Sequence, residues 1–446
     1  MAHLENPLAA AALVAVVAWL GLAGLAAARG GSSERRVATL VLPLALAGAC
    51  LIPPAVAAVA GSGDRATASA DSQLSYAAIG AFLFVAAVAL AGAAVSRVRM
   101  RVAHPGLFAA VLSLWGMGIV ANLSNGLPSP RLSAFLVPPA LFVAMTVFPS
   151  GASMQRSLRL AALSVCYASL VVAILFPDRA FFSESRVIKR VLPERLAGIT
   201  PHPNFLALVA ASALVLVAAR PRRIGLLHGP VALAVLIATD SRGTWIGAIV
   251  AVAAVIGARL SAGVRERLGI RLLVVVAGGV ILAVKLVGAY GTSAGETATL
   301  DGRTGLWNVA VSEWHKSPLL GRGIGLWQRL MQEGVVPTTA GQAHNEVFEV
   351  LSTTGLVGLG VLIVIVGLWV RAALRDLRRG VVEPVALLLL FACYSSFESS
   401  IRIWALDPTC WIFFAFVLCA QGRVAALPSV ATTRAPMRAP MPVEAT

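Results

Sequence analysis

Long apolar segments recur along almost the whole chain, and they limit what it can fold into. A helix needs about 20 apolar residues to cross the ~30 Å hydrocarbon core of a bilayer. Thirteen segments approach or reach this length: 7–28, 37–60, 76–95, 106–121, 132–149, 158–177, 203–219, 229–239, 244–259, 271–290, 346–370, 384–397 and 409–420. Because 58 % of the residues are hydrophobic and only 13 % are charged, a water-soluble fold could not cover so much apolar surface. The sequence therefore predicts an all-α polytopic membrane protein with about 12–13 transmembrane helices.

The basic residues predict the orientation of these helices. The net charge is +16, and almost all of it is arginine, in short clusters between every second pair of apolar segments. Short arginine-rich connections stay cytoplasmic, so the other connections are expected to face outward. The clusters lack interleaved aromatic residues, which argues against a nucleic-acid partner. The first segment, 7–28, is longer than the apolar core of a typical signal peptide and is expected to be a retained helix.

This pattern divides the chain into six parts. They are N-terminal transmembrane helices (1–177), a first periplasmic loop (178–202), transmembrane helices with an outward Ser-Arg turn (203–290), a large periplasmic loop (291–345), C-terminal transmembrane helices (346–420) and a disordered cytoplasmic tail (421–446). A loop as long as 291–345 is usually functional or disordered. Its tryptophans and the apolar spacing of 304–314 predict short helices on the membrane face.

His344 is the first candidate for chemistry, because it lies where the large loop enters a helix. Asn345 is a plausible N-cap of that helix. In one interpretation His344 is an interfacial residue that bonds to a loop carbonyl. In the other it is a general base, since an unperturbed imidazole can accept a proton at neutral pH.

Arginines in the outward segments are the second set of candidates. Arg242 interrupts two apolar segments, and it is either paired with Asp240 or available to an anionic partner such as pyrophosphate, which a guanidinium meets with two parallel hydrogen bonds. Arg303 and Arg322 follow glycines in the large loop. The glycines around Arg322 predict a tight turn and not a dinucleotide site.

Other basic residues are weaker candidates. Lys189, Arg190 and Arg195 could contact a lipid phosphate, although an ordinary solvated face is the more economical interpretation, and the role of Arg402 is open. The outward carboxylates, Glu398 among them, are scattered and form no paired acidic motif, so no metal site and no cofactor are expected. The five cysteines lie within apolar segments and fit no metal spacing.

An ordered series of motifs resembles the O-antigen ligase family, whose domain is shared with O-antigen polymerases. The series runs over about residues 195–400 and consists of Gly198-Ile-Thr-Pro-His-Pro-Asn, Asp240-Ser-Arg-Gly-Thr-Trp, Gly302-Arg-Thr-Gly-Leu-Trp, Pro318-Leu-Leu-Gly-Arg-Gly and His344-Asn-Glu. Each motif is weak alone, and the order and spacing make the match specific.

The resemblance implies a bacterial inner-membrane glycosyltransferase of the GT-C fold with a periplasmic active site. Such a ligase moves polysaccharide from undecaprenyl pyrophosphate to lipid A–core during lipopolysaccharide biosynthesis, without a metal and with inversion at the anomeric carbon. The resemblance implies that His344 activates the acceptor hydroxyl and that Arg242 and Arg303 hold the pyrophosphate. Lower-ranked substrate contacts are Arg322, Lys189, Arg190, Asn345 and Arg402.

Two other functions compete with this one. A polymerase of the same fold would join repeat units on the carrier lipid, and nothing in the sequence separates it from a ligase. A transporter of polysaccharide or lipid should show charges or helix breaks near the bilayer midplane. Lys285 alone falls well within an apolar segment, near its outer end. The concentration of polar residues in the outer loops favours the enzyme.

Overall fold

A computed structural model describes residues 105–127, 151–182, 194–200, 202–219, 223–258, 303–337 and 340–401. The helices in these ranges are α1 (Pro105–Ser124), α2 (Gly151–Leu175), α3 (Pro177–Ala180), α4 (Pro203–Ala219), α5 (Arg223–Ala238), α6 (Arg242–Gly257), α7 (Arg303–Lys316), α8 (Leu326–Gln332), α9 (Glu346–Arg378) and α10 (Glu383–Ser395). Two strands, β1 (Phe181–Phe182) and β2 (Arg195–Leu196), pair antiparallel. Within these ranges the prediction of an all-α fold is therefore correct except for this two-residue pairing.

Three helices in the described ranges are long and apolar enough to cross a membrane: Gly106–Ser124, Leu158–Leu175 and Glu346–Arg378. Shorter apolar helices accompany them, among them α4, α6 and α10. Large apolar side chains such as Ile174 and Ile249 are exposed on these helices, which suits a surface that contacts lipid. The protein is thus a mostly helical membrane protein. The segments at 7–28, 37–60, 76–95, 132–149, 271–290 and 409–420, and the tail, lie outside the described residues.

Helix α4 lies at the centre of the described part of the fold. It packs against α2, α5, α6 and α10, and almost all of its residues are buried. Small residues such as Ala207, Ala210 and Ala211 are completely inaccessible, and they permit close approach of neighbouring helices in a membrane. The first turn of α4 is therefore held rigidly against the end of α10, where the polar residues gather.

Helix α9 is broken at Gly355, whose backbone has φ 67° and ψ −163°. Two helical hydrogen bonds are missing at the break, and the turn 318–323 replaces them with four. Leu356 N and Val357 N donate to Pro318 O and Leu319 O at 2.9 and 3.2 Å, and the carbonyls of Ser352 and Thr353 accept from Arg322 N and Gly323 N at 2.8 and 2.9 Å. The two N–H groups and two carbonyls that lose these helical bonds are thereby paired, as an apolar environment requires.

The large loop folds into the short helices that its sequence predicts. Helices α7 and α8 enclose a small core of their own around Leu306, Leu326 and Trp327. Trp307 stacks on Phe348 of α9 with ring centroids 5.3 Å apart. The glycines of the turn have positive φ, 71° at Gly321, so the predicted tight turn is present.

Candidate functional site

Glu398, in the segment 396–401 that follows α10, is the centre of a buried polar cluster. Its side chain is only 4 % exposed, and both carboxylate oxygens accept hydrogen bonds. Oε2 lies 2.9 Å from His344 Nδ1 and accepts from Gln342 Nε2 at 2.9 Å. Oε1 accepts from Arg303 Nη2 at 2.9 Å and from Asn204 Nδ2 at 2.5 Å. One carboxylate therefore joins residues from α4, α7 and the start of α9.

The charge of this carboxylate is fixed by its neighbours. Burial alone would raise the pKa of Glu398, but the interactions with His344 and Arg303 outweigh burial and hold that pKa well below its usual range. Glu398 is consequently ionised at neutral pH and can only accept hydrogen bonds.

The ionised Glu398 determines the tautomer of His344. A carboxylate beside Nδ1 requires Nδ1 to carry the proton, which leaves Nε2 as an acceptor in the neutral ring. This is the tautomer that a general base needs. His344 is 19 % exposed, and its backbone has the unusual φ of 53°. Left-handed backbone at a non-glycine residue costs about 1–3 kcal/mol and clusters at functional sites.

The helix that follows His344 also holds the segment carrying Glu398. Asn345 is the N-cap, as predicted, and its Oδ1 accepts from Val347 N and Phe348 N. Asn345 Nδ2 donates to Ser396 O at 3.0 Å. Glu346 Oε2 accepts from Ser400 Oγ at 3.1 Å and Ile401 N at 2.9 Å. These bonds position the segment 396–401 against the start of α9.

Arg303 begins α7 and contacts the same segment. Besides its bond to Glu398, its Nη1 donates to the carbonyl of Phe397. A guanidinium has five N–H donors, so these two bonds leave donors for a further ligand. The structure brings Arg303 and His344 together through Glu398.

Arg195 and Asn204 extend the cluster toward β2 and α5. Arg195 donates to Asn204 Oδ1 at 2.6 Å and to Thr239 O at 3.0 Å. The interpretation of Arg195 as part of a solvated face is therefore wrong, because its guanidinium is used to orient the amide that contacts Glu398.

A second histidine, His202, lies beside this cluster. Asn204 N donates to its Nδ1 at 3.2 Å, so the proton of the neutral ring is on Nε2. Burial lowers the pKa of His202 to about 4, with Glu398 opposing this and Arg195 adding to it. His202 is therefore a neutral imidazole at pH 7 with a fixed tautomer.

Arg242 is the first residue of α6, and its side chain is exposed. It makes no ion pair with the described residues, so the predicted alternative of a pair with Asp240 is not seen. Gly243 lies against Phe397, since a Cβ at Gly243 would be 2.9 Å from Phe397 Cδ2. The start of α6 is thus adjacent to the segment that carries Glu398. Asp240, just before it, has φ 48°.

Helix N-termini from four helices consequently converge on the segment 396–401. The residues that contact this segment are Asn204, Gly243 and Arg303 in the first turns of α4, α6 and α7, and Asn345, the N-cap of α9. The dipole of a helix N-terminus favours anions. With Arg303 and the exposed Arg242 close by, this end of the fold is suited to a negatively charged ligand.

Arg322 is not part of this cluster. It forms an ion pair with Glu313 at 3.3 Å and donates to Asn125 Oδ1 at 2.6 Å. Lys189, Arg190 and Arg402 lie outside the described residues. In the described part of the chain, no group of three or more His, Cys, Asp or Glu side chains is arranged to hold a metal ion.

Glu398 is the main residue that the sequence did not single out. Its carboxylate was expected to be one of several scattered acids, yet it contacts both predicted site residues His344 and Arg303. The one signal available was its position in a polar Ser-Phe-Glu-Ser-Ser string directly after an apolar segment, a placement like that of His344 and Arg242.

The fold and the site together define a membrane protein with a buried histidine–carboxylate–arginine cluster at one end of its helices. Residues 230–363 match the family model described as O-antigen ligase, which confirms the resemblance over that stretch. A domain of this family implies glycan transfer by a ligase or a polymerase, with lipid-linked polysaccharide as substrate. The comparison with curated proteins gave no match.

The matched stretch covers less than a third of the chain. It contains Arg242, Arg303 and His344, whereas Asn204 and Glu398 lie outside it. Since Glu398 contacts His344 and Arg303 directly, the cluster extends beyond the matched stretch on both sides.

Proposed function

We propose that the protein is an O-antigen ligase that transfers a polysaccharide from undecaprenyl pyrophosphate to a sugar hydroxyl of lipid A–core. It acts in the bacterial inner membrane, with about 12–13 spanning helices of the GT-C type and an active site that faces the periplasm. The observation that carries this proposal is the contact of His344 Nδ1 with the ionised Glu398 at 2.9 Å, beside Arg303.

His344 is the general base of the proposed reaction. Its Nε2 takes the proton of the acceptor hydroxyl as the hydroxyl oxygen bonds to the anomeric carbon of the donor. The bond from that carbon to the pyrophosphate oxygen breaks on the opposite face, so the configuration inverts and undecaprenyl pyrophosphate leaves. A positioned base contributes about 10²–10⁴-fold to such a step. Glu398 orients the ring and stabilises the imidazolium that forms.

Arg242 and Arg303 are the proposed ligands of the pyrophosphate. Arg303 keeps unused donors beside Glu398, and Arg242 is an exposed residue in the first turn of α6, where the neighbouring Gly243 lies against Phe397. Pyrophosphate is already a good leaving group, so its developing charge needs electrostatic stabilisation more than proton donation. No residue of the proposed mechanism requires a metal.

Reconstitution of the purified full-length protein tests the proposal. Vesicles would contain polysaccharide on undecaprenyl pyrophosphate and lipid A–core, and product would be followed by gel mobility with and without EDTA. We expect a core-dependent ladder that EDTA does not diminish and that His344→Ala abolishes. His315→Ala is the matched control, because His315 is an exposed histidine of α7 outside the cluster.

The other outcomes separate the alternatives. Longer chains on the carrier lipid without core would show a polymerase, and near-normal turnover by His344→Ala would remove His344 from the mechanism. Loss of product in EDTA that magnesium or manganese restores would show a required metal. No product of either kind, from protein that is folded, would favour a transporter.

A further inference from the structure

A groove of about 580 Å³ lies between α7 and α8, away from the Glu398 cluster. Arg303 begins α7 and Glu313 lies in its last turn, so groove and cluster are on the order of 15 Å apart along the helix axis. Asn308 and Ser312 line the groove with neutral polar groups of the kind that bond to sugar hydroxyls.

Three cationic side chains of the groove share one buried carboxylate. Glu313 is 6 % exposed and is contacted by Lys316 Nζ at 2.5 Å, Arg322 Nε at 3.3 Å and Arg329 Nη2 at 3.1 Å. The other nearby acid, Glu333, is 52 % exposed and lies 3.6 Å from Arg329. Glu313 and the exposed Glu333 together carry two negative charges against the three positive ones. One positive charge is therefore left without a counterion in the groove, and an anionic ligand would offset it.

The arrangement is held in place by the backbone. Arg322 belongs to the turn that fills the break in α9, and its Nη1 bonds to Asn125 at 2.6 Å. Lys316, by contrast, is 54 % exposed, so its ammonium keeps donors directed to solvent. The groove therefore combines fixed positive charge with one accessible donor, which is what preorganised anion recognition needs.

We infer that this groove is a second binding site, which takes a phosphate or carboxylate group of the acceptor glycan while the acceptor hydroxyl lies at His344. The inference rests on the proposed function for the identity of the acceptor. A separation of this size suits an oligosaccharide of several sugars, so the anion would be on a different sugar from the reacting hydroxyl. The groove would then select acceptors by where they carry charge.

The test measures KM for lipid A–core in neutral phosphatidylcholine vesicles with Lys316→Gln and Arg329→Gln. Each substitution removes a charged hydrogen-bond donor to the acceptor and should therefore raise the acceptor KM by about tenfold or more. The KM of the donor and kcat should stay unchanged. Arg379→Gln is the matched control, since it removes an exposed arginine beyond the last turn of α9, at the other end of that helix.

A chemically altered acceptor completes the test. With dephosphorylated and carboxyl-reduced lipid A–core, the wild-type protein should show the raised KM and the two variants no further loss. An unchanged acceptor KM in both variants would overturn the inference. So would a KM of the variants that rises as much with the altered acceptor, relative to wild type, as it does with the normal one. An effect confined to vesicles containing phosphatidylglycerol would assign the groove to a lipid headgroup and would also overturn it.

Direct binding separates this inference from the proposed function. Titration of the solubilised full-length protein with lipid A–core should show weaker binding in both variants even where no transfer is detected, as in His344→Ala. Equal binding by wild-type and variant proteins would refute the groove site without affecting the role of His344.

Discussion

Replacement of Glu398 by glutamine is the sharpest test of the site, because it changes one oxygen of the carboxylate to an NH₂ group at constant size. The carboxylate accepts from four donors, on His344, Gln342, Arg303 and Asn204. If the new NH₂ group replaces Oε1, it faces the donor groups of Arg303 and Asn204. Neither of these donor groups can accept a hydrogen bond from the new NH₂ group. If it replaces Oε2, it faces His344 and Gln342. His344 can adapt by moving its proton from Nδ1 to Nε2, and the amide of Gln342 can turn to present its oxygen, which has no hydrogen-bond partner in the described residues. The second orientation is therefore favoured.

That adaptation removes the base. With Nε2 protonated, the ring of His344 donates where it should accept, so turnover should fall by about 10²–10⁴-fold, or roughly 3–5 kcal/mol of transition-state stabilisation. The amide oxygen still serves Arg303, but the charge that paired with the guanidinium is gone. We expect an accompanying loss of stability of about 1–3 kcal/mol.

The assay is transfer in reconstituted vesicles, read together with the thermal unfolding midpoint of the same preparation. The double variant with His344→Ala should be no slower than His344→Ala alone, because groups that act as a unit are strongly non-additive. Turnover by folded Glu398→Gln within threefold of wild type, or a double variant slowed by the product of both effects, would refute the reasoning.

Three further predictions concern other parts of the site and fold. Arg242→Ala and Arg303→Ala should each raise the KM for the donor lipid. Arg242→Ala should leave the unfolding midpoint unchanged, because Arg242 has no ion pair with described residues. Unchanged affinity for the pyrophosphate lipid would argue against both arginines as ligands. The pKa of His202 falls from 6.5 to about 4 on folding, so between these pH values the unfolded chain binds a proton on His202 that the folded protein does not. The free energy of unfolding should therefore decline as pH falls from about 6.5 to 4. His202→Gln should show a shallower decline, and parallel curves would exclude His202 as the cause. Gly355→Ala should lower the free energy of unfolding by more than about 2 kcal/mol, because φ is positive and the Cβ would meet the carbonyl of Leu319. Gly360→Ala is the control, since its Cβ would meet nothing within 4 Å, and it should be neutral or slightly stabilising. Equal unfolding midpoints of the two variants would refute this prediction.

The parts of the structure that sequence predicts best depend on local signals. The apolar segment 203–219 has the same bounds as α4, and α9 begins as Asn345 indicates. Hydrophobic length and N-cap chemistry act within a few residues, so they can be seen in the sequence. The apolar segment 158–177 likewise corresponds to the candidate membrane span Leu158–Leu175, which is the apolar part of α2.

The contacts within the site could not be predicted in the same way. His344 and Arg303 meet through Glu398, and Asn204 approaches the same carboxylate from a helix far earlier in the chain. These contacts depend on how α4, α7 and α10 pack in three dimensions, and no spacing of residues along the sequence indicates that packing. The sequence indicated which residue types carry chemistry, whereas the carboxylate that orients them required the fold.

The break at Gly355 has a consequence for how the protein is made. With Gly355 in its observed conformation, α9 does not satisfy its own backbone, since Leu356 N and Val357 N bond to the turn 318–323 and not to their own helix. That turn precedes α9 in the chain, so it has been synthesised before the helix that needs it leaves the ribosome. Without the turn, α9 in this broken conformation would leave four peptide groups unpaired, at a cost of several kcal/mol each in lipid. The large loop therefore assists the folding of the helix that follows it, and the site can form only after the loop has docked onto α9.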